Sequence, residues 1–338
     1  MTGRRVSVVV VAYRSGGALA RCLDSLAGQD ADVETIVVDN GALDGEVTRA
    51  GARDGVQVVS PAGNVGFAAG CNAGARVATG ETLVFLNPDT VAANGAIDAL
   101  ASTLDDPAVG IAMARLRLMD SPTLLNSGGN VVHVAGFAWV GGYGEPVETA
   151  AELRDVPFAS GAALAVRADT FRALGGFTEE LFLYGEDLEL AWRAHMHGLR
   201  VVMNPRADVF HDYNFERNAA KRYFLERNRL VFVLSAFSGR LLWLLAPVLL
   251  AAEVATAALA LREHWLKQKL RAWGWILGHA RWLRRHRRET QALRQVPDRD
   301  LAPYLTAVLD PTAISAPGLV TACNRLMAGY WRLARRAL

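Results

Sequence analysis

The stretch VSVVVVAYRSGGALARCLDSLAGQDADVETIVVDN, residues 6–40, decides the fold. It opens with a β-branched run over Val6–Ala12, continues with helical leucine spacing over Ala18–Leu26, and returns to β-branched residues over Thr35–Val38. The pattern continues downstream, with strands predicted at 56–59 and 82–86 and a helix at 68–77. Short apolar strands that alternate with helices are typical of a mostly parallel sheet covered on both faces. The sequence therefore predicts an α/β fold.

Polar side chains follow the ends of these predicted strands. Tyr13, Asp39, Asn64 and Asp89 each lie shortly after one of them. In open α/β sheets, ligands bind at the carboxyl ends of the strands, so we expect these side chains to converge in one cleft. Taken singly, Asp39 or Asp89 is equally well explained as a turn residue or a helix cap.

Several common enzyme classes lose support because their motifs are absent. The sequence has no GxxxxGK[ST], HExxH or GxSxG motif, and no GxGxxG motif after the first strand. Its three cysteines, Cys22, Cys71 and Cys323, are far apart and form no CxxC pair, which favours buried thiols in a reducing compartment. The start of the chain resembles a signal peptide only superficially, and we expect a buried first strand there.

Charge is divided unevenly along the chain, although the formal net charge is only +2. Residues 1–220 carry 16 Arg, no Lys and 27 acids, whereas residues 221–338 carry 20 Lys and Arg and 7 acids. The acidic first part argues against a nucleic-acid substrate. The basic, apolar second part indicates binding to an anionic surface such as a phospholipid leaflet.

The carboxyl-terminal region has the composition of a membrane-associating segment. Residues 241–261 are long and apolar enough to span a bilayer, but Glu253 near their centre makes a simple span costly, by about 2.5–3.5 kcal/mol. Tryptophans then interleave with Lys and Arg over residues 265–288, and residues 319–338 repeat this mixture. Such a mixture fits helices in the membrane interface. The alternative is that these helices pack on the first part of the chain or on a second subunit.

An ordered series of polar loop residues points to one chemistry: Asp39, Asp89, the pair Glu186-Asp187, then His211. A transferase of nucleotide-diphosphate sugars needs a carboxylate for the nucleotide, a divalent cation for the leaving diphosphate and a base for the acceptor hydroxyl. The chain offers a candidate for each role. A structural alternative exists for each as well, since the acid pair could simply open a helix and His211 could be a core histidine.

Seven segments resemble, in order, the motifs of the family 2 glycosyltransferases, which are inverting enzymes of the GT-A fold: VSVVVVAYRS (6–15), IVVDNGALDG (36–45), GNVGFAAGCNAG (63–74), FLNPDT (85–90), ASGAALAVR (159–167), FLYGEDLELAWRAHMHG (182–198) and VFHDYN (209–214). NPD, FLYGEDLEL and YFLERNRL (223–230) together are similar to rhamnosyltransferase-like members that build cell-wall and surface polysaccharides. The resemblance implies a Rossmann-like GT-A catalytic domain over residues 1–222, followed by a helical, membrane-associating region over 223–338.

The resemblance also implies a donor site formed by the following residues: Ala12, Tyr13, Asp39, Asn64, Gly66, Phe67, Asn87 and Asp89. Asp39 would accept the N3–H of uracil or thymine. Asp89 corresponds to the last acid of the family's DxD metal motif, whereas Asn87 stands where the first acid is expected and removes one charge. His211 matches a position that completes a Mg²⁺ or Mn²⁺ site, and manganese tolerates a histidine ligand better.

The resemblance further implies that Asp187 is the catalytic base that deprotonates the acceptor hydroxyl. It also implies that the reaction is a single displacement with inversion. We expect like-charge repulsion from Glu186 to raise the pKa of Asp187 toward neutrality. Contacts to the acceptor or the diphosphate are assigned to Ser160, Gly161, Glu186, Trp192, Arg227 and Arg229. For the two arginines, ordinary helix-face charges are the alternative.

The resemblance thus implies a metal-dependent glycosyltransferase that moves L-rhamnose from dTDP-rhamnose, and the basic, apolar carboxyl-terminal region favours a polyprenyl diphosphate-linked glycan as the acceptor. It is expected at the cytoplasmic face of the cell membrane, peripheral or partly inserted, without a nucleic-acid partner. A homo-oligomer is left open. The alternatives are a UDP-sugar-dependent enzyme of the same fold, for example one that transfers galactose or GlcNAc, and a non-enzymatic, membrane-bound nucleotide-sugar binding protein.

Overall fold

The computed structural model describes residues 5–29, 31–42, 45–212, 219–309 and 317–338. Leu43 and Asp44 of the second motif, and Tyr213 and Asn214 of the last, lie outside these ranges. The strands are β1 Arg5–Ala12, β2 Asp32–Asp39, β3 Val56–Val59, β4 Thr82–Leu86, β5 Thr90–Ala92, β6 Val109–Leu118, β7 Leu125–Ser127, β8 Asn130–His133, β9 Ala138–Val140, β10 Arg154–Asp155, β11 Ala163–Arg167, β12 Arg200–His211 and β13 Leu305–Thr306.

The helices follow the periodicity of the sequence closely. They are α1 Gly17–Ala27, α2 Glu46–Gly51, α3 Phe67–Val77, α4 Ala96–Thr103, α5 Ala168–Ala173, α6 Glu186–Met196, α7 Ala219–Ala236, α8 Gly239–Arg262, α9 Leu266–Gly278, α10 Ala280–Ala292, α11 Asp298–Leu301 and α12 Pro317–Ala334. The chain divides into two compact units, the first comprising Met1–Asn130, Val140–Ala194 and Leu199–Phe215, the second Val131–Trp139, His195–Gly198 and Glu216–Leu338.

The first unit is built on one large sheet, whose main path runs β10-β12-β6-β11-β4-β1-β2-β3. Strands β4, β1, β2 and β3 are mutually parallel, β1 is buried along most of its length, and β2 is buried over residues 35–38. The predicted α/β class is therefore confirmed. Because these four strands point the same way, the loops that follow them share one edge of the sheet.

The sheet is more mixed than the sequence pattern indicates. Strand β11 lies between β4 and β6 and runs antiparallel to both, so that Ala163 pairs with Leu86. This reversal brings the residues that precede β11 to the same edge as the residues that follow β4. The long strand β12 continues to His211 and pairs there with β5.

Helix α3 lies close to β1 because it carries glycines on the contacting face. A Cβ atom at Gly70 would come within 2.9 Å of Cγ1 of Val11. The segment GNVGFAAGCNAG therefore has two roles, since its later glycines allow the helix to approach the sheet and its first residues form a loop at the edge of the sheet. The helix is thereby fixed next to the ends of β1 and β2.

The second unit is mainly helical. Helix α7 packs against α9 and α10, and α8 packs against α9 and α12. A small sheet in the order β13-β8-β9 accompanies these helices. The interior also contains charged side chains: Glu226, Arg229, Glu253 and Lys269 form one cluster of ion pairs, described below as the buried charge cluster.

Candidate active site

The ends of β1 and β2 present Tyr13 and Asp39 together. The two strands are paired so that Ala12 is opposite Asp39, and the amide of Asn40 donates to the carbonyl of Ala12 at 2.9 Å. Oδ1 of Asp39 accepts from the amides of Gly41 and Ala42, at 3.2 and 3.0 Å. The turn role considered from the sequence is therefore present, and the exposed ring of Tyr13 lies beside the same turn, where a Cβ added at Gly41 would be 3.6 Å from Cδ2 of Tyr13.

Asn40 is a site residue that the sequence analysis missed. Its Nδ2 donates to Oδ1 of Asn64 at 3.1 Å, and its own Oδ1 accepts from the amide of Val65 at 2.8 Å. Oδ1 of Asn64 also accepts from the amide of Gly66 at 3.0 Å. These bonds fix the loop that follows β3 against the end of β2. The available signal was the position of Asn40 directly after Asp39.

Gly66 and Phe182 are in close contact. Gly66 has φ of +88°, and a Cβ there would lie 2.5 Å from Cδ2 and 2.6 Å from the carbonyl oxygen of Phe182. That carbonyl accepts from the amide of Ala68 at 3.3 Å. Phe182 and Tyr184 also have positive φ, +64° and +69°, which is costly for non-glycine residues. The segment that leads into the acid pair is thus held in a strained conformation against the start of α3.

Backbone bonds connect the NPD segment with Asp187. The amide of Asn87 donates to the carbonyl of Ala162 at 2.9 Å, and the neighbouring amide of Gly161 donates to Oδ2 of Asp187 at 2.9 Å. The second oxygen, Oδ1, accepts from the amide of Leu188 at 2.7 Å. The ring of Phe67 lies beside Gly161, where an added Cβ would be 3.3 Å from Cε1 of Phe67. Asp187, Asn87 and Phe67 therefore belong to one site.

The adjacent acids Glu186 and Asp187 have different surroundings. Glu186 is buried, and both this burial and the charge of Asp187 raise the pKa of its carboxyl. Burial also raises the pKa of Asp187, while the amides of Gly161 and Leu188 oppose the increase by stabilising the carboxylate. The raised pKa of Asp187 was expected, but its main cause is burial rather than repulsion. The amides of Gly161 and Leu188 therefore stabilise the carboxylate form of Asp187.

Asp89 and His211 meet because β5 pairs with the end of β12. Thr90 is opposite His211 in this ladder, and Nε2 of His211 lies 3.4 Å from Oδ1 of Asp89. Nδ1 of His211 is 2.9 Å from Oδ1 of Asn126. Since an amide oxygen only accepts, Nδ1 is assigned as the protonated nitrogen, and in a neutral imidazole Nε2 then carries the lone pair.

This pair fits a divalent cation. Oδ1 of Asp89 is buried and accepts no hydrogen bond within the described part of the chain. A carboxylate oxygen therefore faces a histidine nitrogen at a distance that a metal ion can bridge, and Asn126 holds the ring as outer partners of metal-ligating histidines do. Among the described residues, no group of three or more His, Cys, Asp or Glu side chains is arranged to hold a metal. The other ligands would have to be diphosphate oxygens and water.

Of the predicted acceptor contacts, Ser160 and Gly161 lie at the site and Trp192 is buried. Oγ of Ser160 accepts from the amide of Ala162 at 3.3 Å, next to the amide that holds Asp187. The side chain of Trp192 is 0% exposed and belongs to the core, and its contact with an acceptor stays a prediction. Glu186 is also buried, and its contact with an acceptor stays a prediction.

The two arginines of YFLERNRL occupy different surroundings within the second unit. Arg229 is buried and pairs with Glu226 and Glu253, and its guanidinium also donates to the carbonyl of Ala135 at 3.1 Å. These contacts do not fit the predicted diphosphate role of Arg229, since both carboxylates already neutralise it. Arg227 lies 4.8–5.4 Å from the ring centres of Tyr223, Phe224 and Trp275. A role for Arg227 at the diphosphate stays a prediction.

The fold and this set of residues define the class as a glycosyltransferase with a GT-A-like fold. Residues 7–175, half of the chain, match the family described as Glycosyl transferase family 2. The chain belongs to this family, which confirms the resemblance seen in the sequence motifs.

Known proteins agree with this assignment. The chain is 28% identical over 287 residues to N-acetylglucosaminyl-diphospho-decaprenol L-rhamnosyltransferase of Mycobacterium tuberculosis, covering 76% of this chain and 91% of the relative. Two solved structures share the fold. The mannosyltransferase PcManGT from Pyrobaculum calidifontis, solved with GDP-Man and Mn²⁺, has a TM-score of 0.52 and 20% identity over 100% of this chain and 87% of its own. GalNAc-T7, solved with UDP, GalNAc and Mn²⁺, has a TM-score of 0.59 and 16% identity over 69% of this chain, which spans 48% of that structure.

Proposed function

We propose that the protein is an inverting, metal-dependent glycosyltransferase that transfers L-rhamnose from dTDP-rhamnose to a polyprenyl diphosphate-linked glycan. One observation carries this proposal: the carboxylate of Asp187 is oriented by two backbone amides and lies in the same site as the NPD segment. A base in this position, with a pKa raised by burial, suits proton transfer from a hydroxyl near neutral pH.

The reaction assigned to these residues is a single displacement. Asp187 accepts the proton of the acceptor hydroxyl as that oxygen forms a bond to C1 of the sugar. The bond between C1 and the diphosphate oxygen breaks at the same time on the opposite face, and the nucleoside diphosphate leaves with the electron pair. The amides of Gly161 and Leu188 favour the ionised form of Asp187, whereas burial and the charge of Asp187 favour the protonated form of Glu186, so Asp187 is assigned as the base.

A divalent cation, when bound, neutralises charge on the leaving diphosphate. Asp89 and His211 are the residues that would hold it, and Asn126 would keep the imidazole in the tautomer that binds metal. The replacement of an acid by Asn87 lowers the negative charge at this point. The side chain of Asn87 is half-buried. This partial exposure suits the proposed contact of its amide with the sugar or the ribose.

The donor is proposed from the relative's name together with the site. The Mycobacterium tuberculosis relative is named as an L-rhamnosyltransferase that acts on a diphospho-decaprenol substrate, and the alignment covers nearly all of it. At the nucleotide end, Asp39 and Tyr13 suit a pyrimidine, because a carboxylate accepts the N3–H that uracil and thymine share. This contact leaves a UDP-sugar as the second candidate donor.

The proposed acceptor is lipid-linked, and the carboxyl-terminal region is the proposed membrane-associating part. Residues 221–338 carry 13 more basic than acidic side chains. Each basic residue near an anionic leaflet contributes about 1 kcal/mol to binding, so a cluster of this size supports binding at the cytoplasmic face of the membrane. We therefore propose that residues 1–222 form the catalytic domain and that residues 223–338 form the membrane-associating region.

The deciding experiment is a donor-screened transfer assay on a synthetic polyprenyl diphosphate glycan with Mn²⁺. dTDP-rhamnose, UDP-galactose and UDP-GlcNAc are compared, and the anomeric configuration of the product is determined by nuclear magnetic resonance. Transfer of rhamnose with inversion supports the proposal. Selective use of a UDP-sugar would contradict dTDP-rhamnose as the donor. Binding of a donor without transfer of any of the three sugars would favour a non-enzymatic binding protein.

A further inference from the structure

Helix α8 is one long apolar helix with two different faces. It is the one helix in the described ranges that is long and apolar enough to cross a membrane. Trp243, Leu250, Val254 and Leu261 are 64–78% exposed. Since successive residues turn by about 100° around a helix axis, these four lie within about 20° of one line. We call this line the apolar stripe of α8.

The opposite face of α8 is committed to the interior of the second unit. Leu241 and Leu245, about 160° away from Trp243, are buried. On the side of α8 toward α9, Oε2 of Glu253 lies 3.1 Å from Nζ of Lys269 and accepts from Nε1 of Trp273 at 2.7 Å. One face of α8 therefore packs inside the second unit, and the opposite face is exposed and apolar, as in helices that contact lipid.

The buried charge cluster makes it costly for α8 to cross a bilayer. Glu253 is near the middle of the helix and pairs with Arg229 as well as Lys269. Lys269 is 0% exposed, and its Nζ lies 2.6 Å from Oε2 of Glu226. A transmembrane α8 would either separate Glu253 from its partners or bring all four charges into the hydrocarbon core. Ionised side chains at that depth are strongly disfavoured.

Neighbouring helices show the same arrangement. On α9, Leu270 and Leu277 are exposed, and on α12, Leu326 and Leu333 are exposed, in each case seven residues apart and so on one face. Helix α8 packs against both α9 and α12. Exposed apolar stripes on adjacent helices are typical of a surface that binds the interfacial region of a membrane.

The positive charge of helix α10 indicates that the membrane contains anionic lipids. On α10, Arg281, Arg284, Arg287 and Arg288 line a groove of about 600 Å³. Arg287 is anchored by donating to the carbonyl oxygens of Leu234 and Phe237, at 2.6 and 2.7 Å, and the other three side chains are exposed. A row of exposed guanidinium groups matches the phosphates of anionic lipids.

We propose that α8 lies in the plane of an anionic phospholipid surface, with its apolar stripe directed into the bilayer, and does not cross it. The arginines of α10 bind lipid phosphates beside it. This inference rests on the membrane association proposed above and specifies how it is achieved. It concerns vesicle binding without donor or acceptor, so an error in the assigned sugar or in the reaction leaves it unaffected.

The first test measures binding to vesicles of phosphatidylglycerol and phosphatidylcholine by flotation. The double variant Trp243→Glu/Val254→Glu is expected to lose at least about tenfold in binding, because two charges would enter the apolar layer. Leu153→Glu places the same charge at an exposed leucine of the first unit and should bind like the wild type. Circular dichroism confirms folding of each variant. Wild-type binding by the double variant would overturn the proposal.

The second test distinguishes an in-plane helix from a spanning one. Arg240→Cys and Arg262→Cys, at exposed positions near the two ends of α8, are made separately in a Cys323→Ser chain. After addition to the outside of sealed vesicles, each is treated with a membrane-impermeant maleimide. An in-plane α8 gives the same labelling of both cysteines before and after detergent. Labelling of one end only after detergent shows that α8 spans and refutes the inference.

A third measurement addresses the arginines. Arg281→Glu/Arg284→Glu/Arg288→Glu is expected to reduce binding to phosphatidylglycerol-containing vesicles by about tenfold or more, while any binding to pure phosphatidylcholine stays the same. Inorganic phosphate should not compete at millimolar concentration, since the proposed ligand is a lipid surface. Undiminished anionic binding by this variant, or full competition by free phosphate, would contradict the role assigned to α10.

Discussion

The backbone amide of Gly161 donates to Oδ2 of Asp187 at 2.9 Å. This bond joins the loop before β11 to the first turn of α6, and its two residues are 26 positions apart in the sequence. It fixes the carboxylate without using a side chain, so substitution of Asp187 can be made without removing the amide that positions it. A static, amide-oriented carboxylate is what a general base requires.

Asp187→Asn should reduce the transfer rate by about 10²–10⁴-fold, because the amide cannot accept the proton of the acceptor hydroxyl. Donor binding should persist, since the nucleotide is assigned to residues on other loops. Turnover is measured in the transfer assay and donor affinity by calorimetry, with exposed Asp54→Asn as the matched control. Substantial turnover by the Asp187 variant would remove this residue as the base.

Glu186→Gln should make the protein more stable at neutral pH. Burial raises the pKa of Glu186, so between its ordinary pKa of 4.5 and the raised value the folded protein retains a proton that the unfolded chain releases. The free energy of unfolding therefore falls as pH rises through this window, by at most about 1.4 kcal/mol per pH unit. Glutamine does not titrate, so the free energy of unfolding of the variant does not include this decrease with pH.

The measurement is urea denaturation of both proteins from pH 4 to pH 8. The variant should gain stability relative to the wild type as pH rises, with a constant difference below the ordinary carboxyl pKa. Exposed Glu148→Gln provides the control and should parallel the wild type. A constant difference between Glu186→Gln and the wild type across the whole range would show that Glu186 is ionised in the folded protein.

How far the site could be predicted depends on the range of the interactions involved. Residues 6–12, 56–59 and 82–86 form strands whose limits are predicted within a residue, because continuous apolar runs are local signals. The position of β11 between β4 and β6 depends on long-range pairing and has no local signature. The role of Asn126 has no local signal either, since its contact with His211 spans 85 residues.

The carboxyl-terminal charges show the same limit. Glu253 reads in the sequence as a single acid that interrupts an apolar segment. In the structure its partners Arg229 and Lys269 come from the helices on either side of it in the chain. Arg229 was predicted to contact the diphosphate from its residue type and position, but helix packing decides the partners of a buried charge, and here they are Glu226 and Glu253.

Asp89→Ala should abolish metal-dependent binding of the donor nucleotide. The substitution removes the carboxylate that faces Nε2 of His211, and a single histidine is a weak site for Mg²⁺ or Mn²⁺. Binding of dTDP with and without Mn²⁺ is measured by calorimetry, and Asp54→Ala is the control. If the variant keeps the wild-type response to Mn²⁺, the metal lies elsewhere.

Asn126→Ala should weaken Mn²⁺ binding by about 10–100-fold without abolishing it, because the outer partner of a ligating histidine sets its tautomer and orientation. Free Mn²⁺ is followed by electron paramagnetic resonance in the presence of dTDP. High Mn²⁺ concentrations should restore the activity of this variant but not that of Asp89→Ala. Exposed Asn94→Ala serves as the control, and an unchanged Mn²⁺ affinity in Asn126→Ala would separate Asn126 from the metal.

Lys269→Met should destabilise the second unit by about 3–5 kcal/mol, because removing one partner leaves buried charge uncompensated. Nζ of Lys269 lies within 3.1 Å of carboxylate oxygens of both Glu226 and Glu253, and Arg229 alone would then face two acids. Urea denaturation measures the change, and exposed Lys267→Met makes the same substitution on the same helix as a control. The double variant Lys269→Met/Glu226→Gln removes one positive and one negative charge and should recover part of the loss. Equal stability of Lys269→Met and Lys267→Met would mean that the cluster does not hold α8 and α9 together.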